Sequence, residues 1–287
     1  MQFDESKIQT IRIDDSAYPK ALQGLTDAPK TLQAVGDISL LQTRLFTVVG
    51  SRRTPASALK AGTEIVKGLS SAVTIVTGTA DGGDTAAIEG ALSVGGKVIC
   101  VLAGGFSAIP QNNFALLKKV AENGLVLSPH AYDEQIRSFS YEYRNKLLAT
   151  LGEGTLVLGA AEKSGALITA KYALAQGKKV FALPYSLGVT AGAGCNALIK
   201  KGAYLTETAD DVLEQFHLQT VRKETPKITL TEDEEKLIKA LRDTSGGHVT
   251  ALAQTAGVPL FKARALLSAL EVKGLCVSIG GNQYAPV

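Results

Sequence analysis

The sequence predicts an α/β fold, a doubly wound and mostly parallel sheet followed by a small domain of different rhythm. Three observations predict it. From Leu45 onward, short apolar runs alternate with stretches of helical periodicity. Those runs are apolar throughout rather than at every second residue, the pattern of strands buried on both faces. After a polar, charged stretch at 217–229, three helical segments precede a hairpin with a glycine turn. Strands that alternate with helices imply βαβ crossovers, so the main domain reads as an extended Rossmann-like sheet. Three helices and a terminal hairpin read as a winged-helix-like domain, the alternative being a three-helix bundle with a frayed tail.

Residues 1–44 are expected to form an N-terminal extension packed on the main domain. Tyr18-Pro19 and Ala28-Pro29 punctuate a mostly helical stretch there, and Leu32 to Val35 is a short candidate strand. The main domain is expected over 45–216. Its strands are Leu45 to Val49, stopped by Gly50; Val73 to Val76, before Thr77-Gly78; Lys97 to Leu102, ended by Ala103-Gly104-Gly105; then Leu125 to Leu127, Thr155 to Leu158 and Lys179 to Leu183. Helical spacing recurs at Ala58 to Leu69, Thr85 to Leu92 and Thr169 to Gln176, with Gly177 where a helix ends in the left-handed region. Residues 217–229, with Pro226, read as a linker.

The second domain, 230–287, opens on Thr231-Glu232-Asp233-Glu234, a hydroxyl followed three residues later by a carboxylate, which is a capping box. The helix it starts is expected to run to about Arg242 with Leu237, Ile238 and Leu241 inward. Val249 to Ala256 is a second helix, stopped by Gly257. Pro259 to Lys273 is a third, with Ala263, Leu266, Leu267 and Leu270 on one face and Gly274 at its end. Cys276 to Ile279, Gly280-Gly281 and Asn282 to Ala285 complete the hairpin.

Composition bounds the function. Of 287 residues, 45% are hydrophobic and 20% charged, enough apolar surface to exclude wholesale disorder. A formal net charge of +3 excludes a strongly basic nucleic-acid coat but not a local basic groove. Cys100, Cys195 and Cys276 are an odd set without CxxC spacing, and His130, His217 and His248 form no HExxH pair, so neither a disulfide framework nor a metal site is expected. Met1-Gln2-Phe3-Asp4-Glu5 is too polar for a signal peptide, and no apolar run reaches the roughly 18–20 residues of a membrane span. The expectation is a soluble, reduced, cytoplasmic chain.

In open α/β sheets, ligands sit beyond the carboxyl ends of the strands. Three such loops carry chemistry here. Gly50-Ser51-Arg52-Arg53-Thr54-Pro55 offers a turn, a hydroxyl and a guanidinium fork suited to phosphate, with Thr54-Pro55 as N-cap and first-turn proline of the next helix. The alternative is a tight turn with solvated arginines. Thr77 to Asp84, including Gly78 and Gly82, suits an anion-binding nest of backbone N–H groups, or only close helix packing. It matches neither GxGxxG nor a Walker loop. Tyr141-Glu142-Tyr143-Arg144-Asn145-Lys146 interleaves aromatics with cations, the pattern for stacking bases while binding the backbone. A helix start with a solvated charged face is its alternative.

Together these motifs resemble the DNA-processing protein A family (DprA/Smf). The family's Gly-Ser-Arg matches Gly50, Ser51 and Arg52. Its Ser-Gly-x-Ala-x-Gly-x-Asp loop matches at Gly78, Ala80, Gly82 and Asp84, with Thr77 for serine. Pro110 and Asn113 match a Pro-x-x-Asn element, and Phe-Pro-x-Arg-Asn-Arg corresponds to Tyr141 through Lys146, keeping Arg144 and Asn145. Ser164-Gly165-Ala166-Leu167-Ile168-Thr169-Ala170 and Gly194 to Ala203, with Asn196, continue the likeness, which runs from about Tyr18 to the C-terminus. The departures are Asp81 and Gly83 in the second loop, Ile88 for a histidine, Glu142 for a proline and Tyr185 for a glycine. The short stretch before the main domain is expected to leave no room for the extra helical domain that some members carry.

The resemblance implies a homodimeric single-stranded-DNA-binding protein that loads RecA-type recombinase during natural transformation, with no catalytic residue, no cofactor, no metal and no membrane. It implies that Arg52, Arg144 and Lys146 hold the backbone and that Tyr141 stacks a base. Ser51, Ser164, Thr169 and Asn196 follow as polar liners, with Gly50, Arg53, Gly78, Gly82, Asn145 and Gly165 completing the expected DNA-binding set. Two other readings stand beside it: a DprA-like regulatory component of a phage-defence or toxin–antitoxin system, and a nucleotide phosphoribohydrolase on a similar scaffold. The latter needs a glutamate after a Gly-Thr pair, and Gly154-Thr155 is followed by Leu156-Val157-Leu158. From Pro226 on, seven basic residues face six acidic ones and the wing tip Gly280-Gly281-Asn282-Gln283 has no charge, which favours protein contact over DNA reading.

Overall fold

A computed structural model describes residues 3–219 and 230–286, and contacts divide the chain into two compact units, Met1–Val221 and Arg222–Val287. The expected linker lies, from 220 to 229, outside the described residues.

In the first unit the order is β1 (Gln9–Arg12), α1 (Lys20–Gln23), β2 (Thr31–Gly36), β3 (Leu45–Gly50), α2 (Ala56–Leu69), β4 (Thr74–Thr77), α3 (Gly83–Ser93), β5 (Val98–Val101), α4 (Gln111–Asn123), β6 (Leu125–Ser128), α5 (Ser140–Leu151), β7 (Gly154–Gly159), α6 (Gly165–Ala175), β8 (Lys179–Ala182), α7 (Ala193–Lys200), β9 (Tyr204–Leu205) and α8 (Ala209–Leu213). The nine strands form one sheet in the order β1-β2-β6-β5-β4-β3-β7-β8-β9. From β6 to β9 every pairing is parallel.

The unbroken apolar runs become strands covered on both faces. In β3, Phe46 and Val48 enter one core while Leu45 and Val49 enter the other; β5 divides in the same way, Val98 and Cys100 from Ile99 and Val101. Helices α2, α3, α4 and α8 cover the first core, and α1, α5, α6 and α7 the second.

The N-terminal stretch differs from the mostly helical, packed-on extension that the sequence suggests. It joins the sheet: β1 pairs antiparallel with β2, and β2 antiparallel with β6. Prolines at 19 and 29 confine helix to the four residues of α1, while Leu32 and Ala34 alternate inward from a strand.

The second unit contains α9 (Glu232–Asp243), β10 (Gly247–His248), α10 (Val249–Ala256), α11 (Leu260–Val272), β11 (Cys276–Gly280) and β12 (Gln283–Pro286). The capping box at Thr231 and Glu234 forms, and Leu237, Ile238, Leu241, Ala263, Leu267 and Leu270 are buried, with Leu266 half-buried. The hairpin gains a third strand that the sequence does not reveal, β10, which pairs with β12. This is the winged-helix plan. Among the described residues no helix is long and apolar enough to cross a membrane.

Candidate functional site

The sheet reverses its winding between β3 and β7. Strands β4, β5 and β6 extend it on one side and β8 and β9 on the other, so the loops leaving β3 and β7 diverge and open a crevice at their carboxyl ends. The Ser51 N–H still bridges to the Gly159 carbonyl at 2.8 Å. Beyond that bond lies a cavity of about 410 Å³.

Gly50, Ser51, Arg52 and Arg53 form one wall. The Ser51 hydroxyl accepts the Arg53 N–H at 3.1 Å, and the Thr54 hydroxyl donates to the Ser51 carbonyl at 2.8 Å. Thr54 therefore closes the loop instead of capping α2, whose N-cap position is held by Pro55. Arg52 and Arg53 are exposed on the rim, and among the described residues neither has an ion-pair partner.

The Thr77 to Asp84 loop already holds an anion, the carboxylate of Asp84. Its Oδ1 accepts the Gly50 N–H at 3.2 Å and its Oδ2 the Ala80 N–H at 3.1 Å. Asp84 is only 4% exposed, and burial pushes its carboxyl above the usual range, against the pull of the Arg144 charge and the two backbone donors. Gly78 and Gly82 do not line the cavity. Gly78 lies between the Arg144 guanidinium and the Asp84 carboxylate, and Gly82, at φ +82°, abuts the backbone of Ser51 and Arg52. Close approach accounts for both glycines. Thr79 and Ala80 face the cavity instead, and the Asn113 amide fastens this loop to α4 by donating to the Thr79 carbonyl at 2.6 Å.

The Tyr141 to Lys146 motif is the start of α5 rather than a loop. At 100° per residue, Tyr141, Arg144 and Asn145 share one face and Lys146 points away. Tyr141 is 42% exposed at the rim, while Arg144 and Asn145 are buried in the floor. The Arg144 Nε donates to Asn145 Oδ1 at 3.0 Å and Nη1 to the Val101 carbonyl at 3.3 Å; among the described residues Nη2 has no partner. Asn145 Nδ2 donates to the Gly165 carbonyl at 3.2 Å, tying α5 to α6. Lys146, expected in the site, pairs instead with Asp27 at 2.5 Å, outside the cavity.

Ser164 caps α6, accepting the Ala166 N–H at 3.3 Å, and with Gly165 and Thr169 it lines the far wall. The Thr169 hydroxyl is buried and, among the described residues, has no hydrogen-bond partner. Asn196 lies elsewhere. Its Oδ1 accepts the Tyr185 N–H at 3.0 Å and its Nδ2 donates to the Tyr185 carbonyl at 2.9 Å, so it clamps the loop after β8. Tyr185, where the family has glycine, donates its hydroxyl to the Leu158 carbonyl at 2.6 Å and covers Gly192 with its ring.

The sequence reading misses the apolar wall. Ala103, Gly104 and Ile109 after β5 and Ile136 before α5 supply it. Ala103-Gly104-Gly105 signals only a strand end, and Ile136 carries no local signal. Among the described residues no cluster of histidine, cysteine and acidic side chains is placed to hold a metal ion. The cleft thus presents two rim guanidinium groups and an aromatic ring over a floor whose carboxylate is already hydrogen-bonded within the protein, an arrangement suited to holding an anionic ligand with a planar group.

Residues 9–217 match the family model described as DNA recombination-mediator protein A. DNA processing protein DprA of Streptococcus pneumoniae is 37% identical over 211 residues, spanning 73% of this chain and 75% of that protein. The X-ray structure of DprA from that organism superposes with a TM-score of 0.70, covering 73% of this chain and 74% of the other at 37% identity. A second structure, described as giving the single-stranded DNA binding mode of DNA processing protein A from Helicobacter pylori, superposes with a TM-score of 0.66 at 30% identity, over 74% of this chain and 96% of that one. A sheet that reverses at β3 and β7, a glycine-lined loop closed on Asp84 and a family match across 9–217 converge, and the chain belongs to the DNA recombination-mediator protein A family.

Proposed function

We propose that this chain binds single-stranded DNA at the cleft between the β3 and β7 loops and delivers it to a RecA-type recombinase. One observation carries the reading: Arg52 and Arg53 stand exposed and unpaired among the described residues beside the exposed Tyr141, at the mouth of a cavity of about 410 Å³. Unpaired guanidinium groups bind phosphate oxygens, and an exposed aromatic ring takes a base whatever its identity. Arg144 contributes its field from the floor. The likeness to a protein whose single-stranded DNA binding mode has been described supports the same reading.

In this proposal residues 45–216, with β1 and β2 added to their sheet, form the DNA-binding domain of a cytoplasmic homodimer, and the recombinase is served during natural transformation. Residues 230–287 are assigned to protein contact. Lys236, Lys262 and Lys273 are spent on Glu232, Asp233 and Glu234 of α9, which leaves the unit few cations for DNA.

The test is an anisotropy titration with single- and double-stranded oligonucleotides at several salt concentrations. The expected result is preference for single strands and a log–log salt slope of about −0.7 per neutralised phosphate. No single-strand binding at low salt overturns the proposal. Incubation with nucleoside monophosphates is expected to release no free base; release would establish the phosphoribohydrolase reading.

A further inference from the structure

Between Ile136 and Tyr141, which line the cleft, the chain carries an aromatic side chain that none of the motifs quoted above includes. Phe139 precedes α5 by one residue and is 58% exposed. It belongs to neither hydrophobic core of the first unit, and neither does Tyr141 two residues on. Leaving a phenylalanine ring in water forfeits about 1.5–3 kcal/mol of burial, so its place on the surface is not accounted for by packing.

The turn that presents the ring is built rather than loose. The Ser140 hydroxyl accepts the Arg137 N–H at 3.0 Å, and the Ser140 N–H returns to the Arg137 carbonyl at 3.1 Å. These two bonds close the segment that contains Phe139. The Arg137 guanidinium stands over the ring, 6.0 Å from its centroid, a cation–π arrangement that places a cation beside an exposed π surface. Ile136, immediately before, lines the cleft, as does Tyr141 after it. Residues 136–141 thus run along the cleft's edge as apolar wall, cation, ring and second ring.

We propose that Phe139 is a second base-stacking surface, which with Arg137 holds a nucleotide of the strand outside the cleft next to the one held at Tyr141. The inference rests on the single-stranded-DNA reading given above and extends its footprint beyond the cavity. Stacking on an aromatic face is sequence-tolerant and neutralises no phosphate, so its removal weakens binding without altering salt dependence.

The chain contains no tryptophan, so Phe139→Trp installs a single reporter at the proposed contact. Titrating that variant with oligothymidylate is expected to quench its emission in step with the binding measured by anisotropy of the labelled oligonucleotide. Phe139→Ala is expected to weaken binding about tenfold with an unchanged log–log salt slope, and Phe139→Tyr to restore it. Full-strength binding by Phe139→Ala, or binding by Phe139→Trp without any change in emission, overturns the stacking role and leaves the cleft's own function intact. Failure of the unmodified protein to bind single strands at low salt overturns both together. Circular dichroism of each variant guards against misfolding, and the exposed position leaves the fold unaffected.

Discussion

The carboxylate of Asp84 accepts the backbone N–H of Gly50, and through that bond the second residue of α3 fastens the end of β3. Its other oxygen holds Ala80, and Arg144 balances its charge from α5. Three chain segments far apart in sequence therefore meet at one buried carboxylate. A nest of N–H groups that looks open to phosphate is filled from within, which shifts ligand binding outward to the rim arginines.

Asp84→Ala leaves the buried Gly50 N–H and the half-buried Ala80 N–H without an acceptor and Arg144 without its counter-charge. The expected cost is about 3–5 kcal/mol of stability, read by urea denaturation. Asp84→Asn keeps the shape and one acceptor oxygen, so about 1–3 kcal/mol is expected. Equal stability of Asp84→Ala and the unmodified protein contradicts the anchoring role.

Arg52→Ala and Arg53→Ala are each expected to reduce the salt slope of single-strand binding by about 0.7 with little change in stability, because both groups are solvated. Arg144→Ala is expected to act on stability first, since its guanidinium is buried and bonded to Asn145 and Val101. Denaturation curves set beside binding isotherms separate the two kinds of arginine. An Arg144→Ala protein of full stability contradicts the distinction.

Gly78→Ala places a methyl group between the Arg144 guanidinium and the Asp84 carboxylate, where there is no room for it. A loss of about 1–3 kcal/mol is expected from overpacking, with weaker DNA binding as the floor shifts. Gly95→Ala serves as contrast. Nothing lies within 4 Å of a side chain there, so only the positive φ of 73° is felt, at about 1 kcal/mol.

Alkaline pH probes Tyr18, which is 1% exposed and donates its hydroxyl to the Pro29 carbonyl at 2.7 Å. Burial pushes its pKa up to about 12. Between pH 10 and 12 the folded protein keeps a proton that the unfolded chain releases. The stability this supplies is complete below pH 10 and lost as pH rises through 12, on the order of 2–3 kcal/mol. Urea denaturation across that window is expected to show a steeper decline for the unmodified protein than for Tyr18→Phe. Parallel declines rule the assignment out.

In the second unit, Glu234 accepts the Thr231 N–H at 2.8 Å and the Lys273 ammonium at 2.6 Å, joining the start of α9 to the end of α11. Glu234→Ala is expected to cost about 1–2 kcal/mol through loss of the capping box. Faster amide exchange at Leu237 to Leu241 is the measurement, and unchanged protection there contradicts it.

Strands β3 to β8 were legible because each is covered on both faces and so leaves an unbroken apolar run, whereas the exposed β9 leaves none. The Thr231 box, Gly257 and Gly274 were legible for a similar reason: helix ends are decided by neighbours within four residues. The family followed from the same local motifs. Long-range pairing decided the rest. β2 joined the sheet because β6 offered it an open side, and β1 then became the edge strand, which no local pattern records. Arg144 and Lys146 read alike in sequence, yet the helix turns one into the floor toward Asp84 and the other out to Asp27. Asn196 was spent on Tyr185 across a turn of the chain, and Ile136 was brought to the cleft by segments distant in sequence. A residue's type sets what chemistry it can offer; its partner, which only the tertiary structure supplies, decides whether that chemistry is used inside the protein or left free for a ligand.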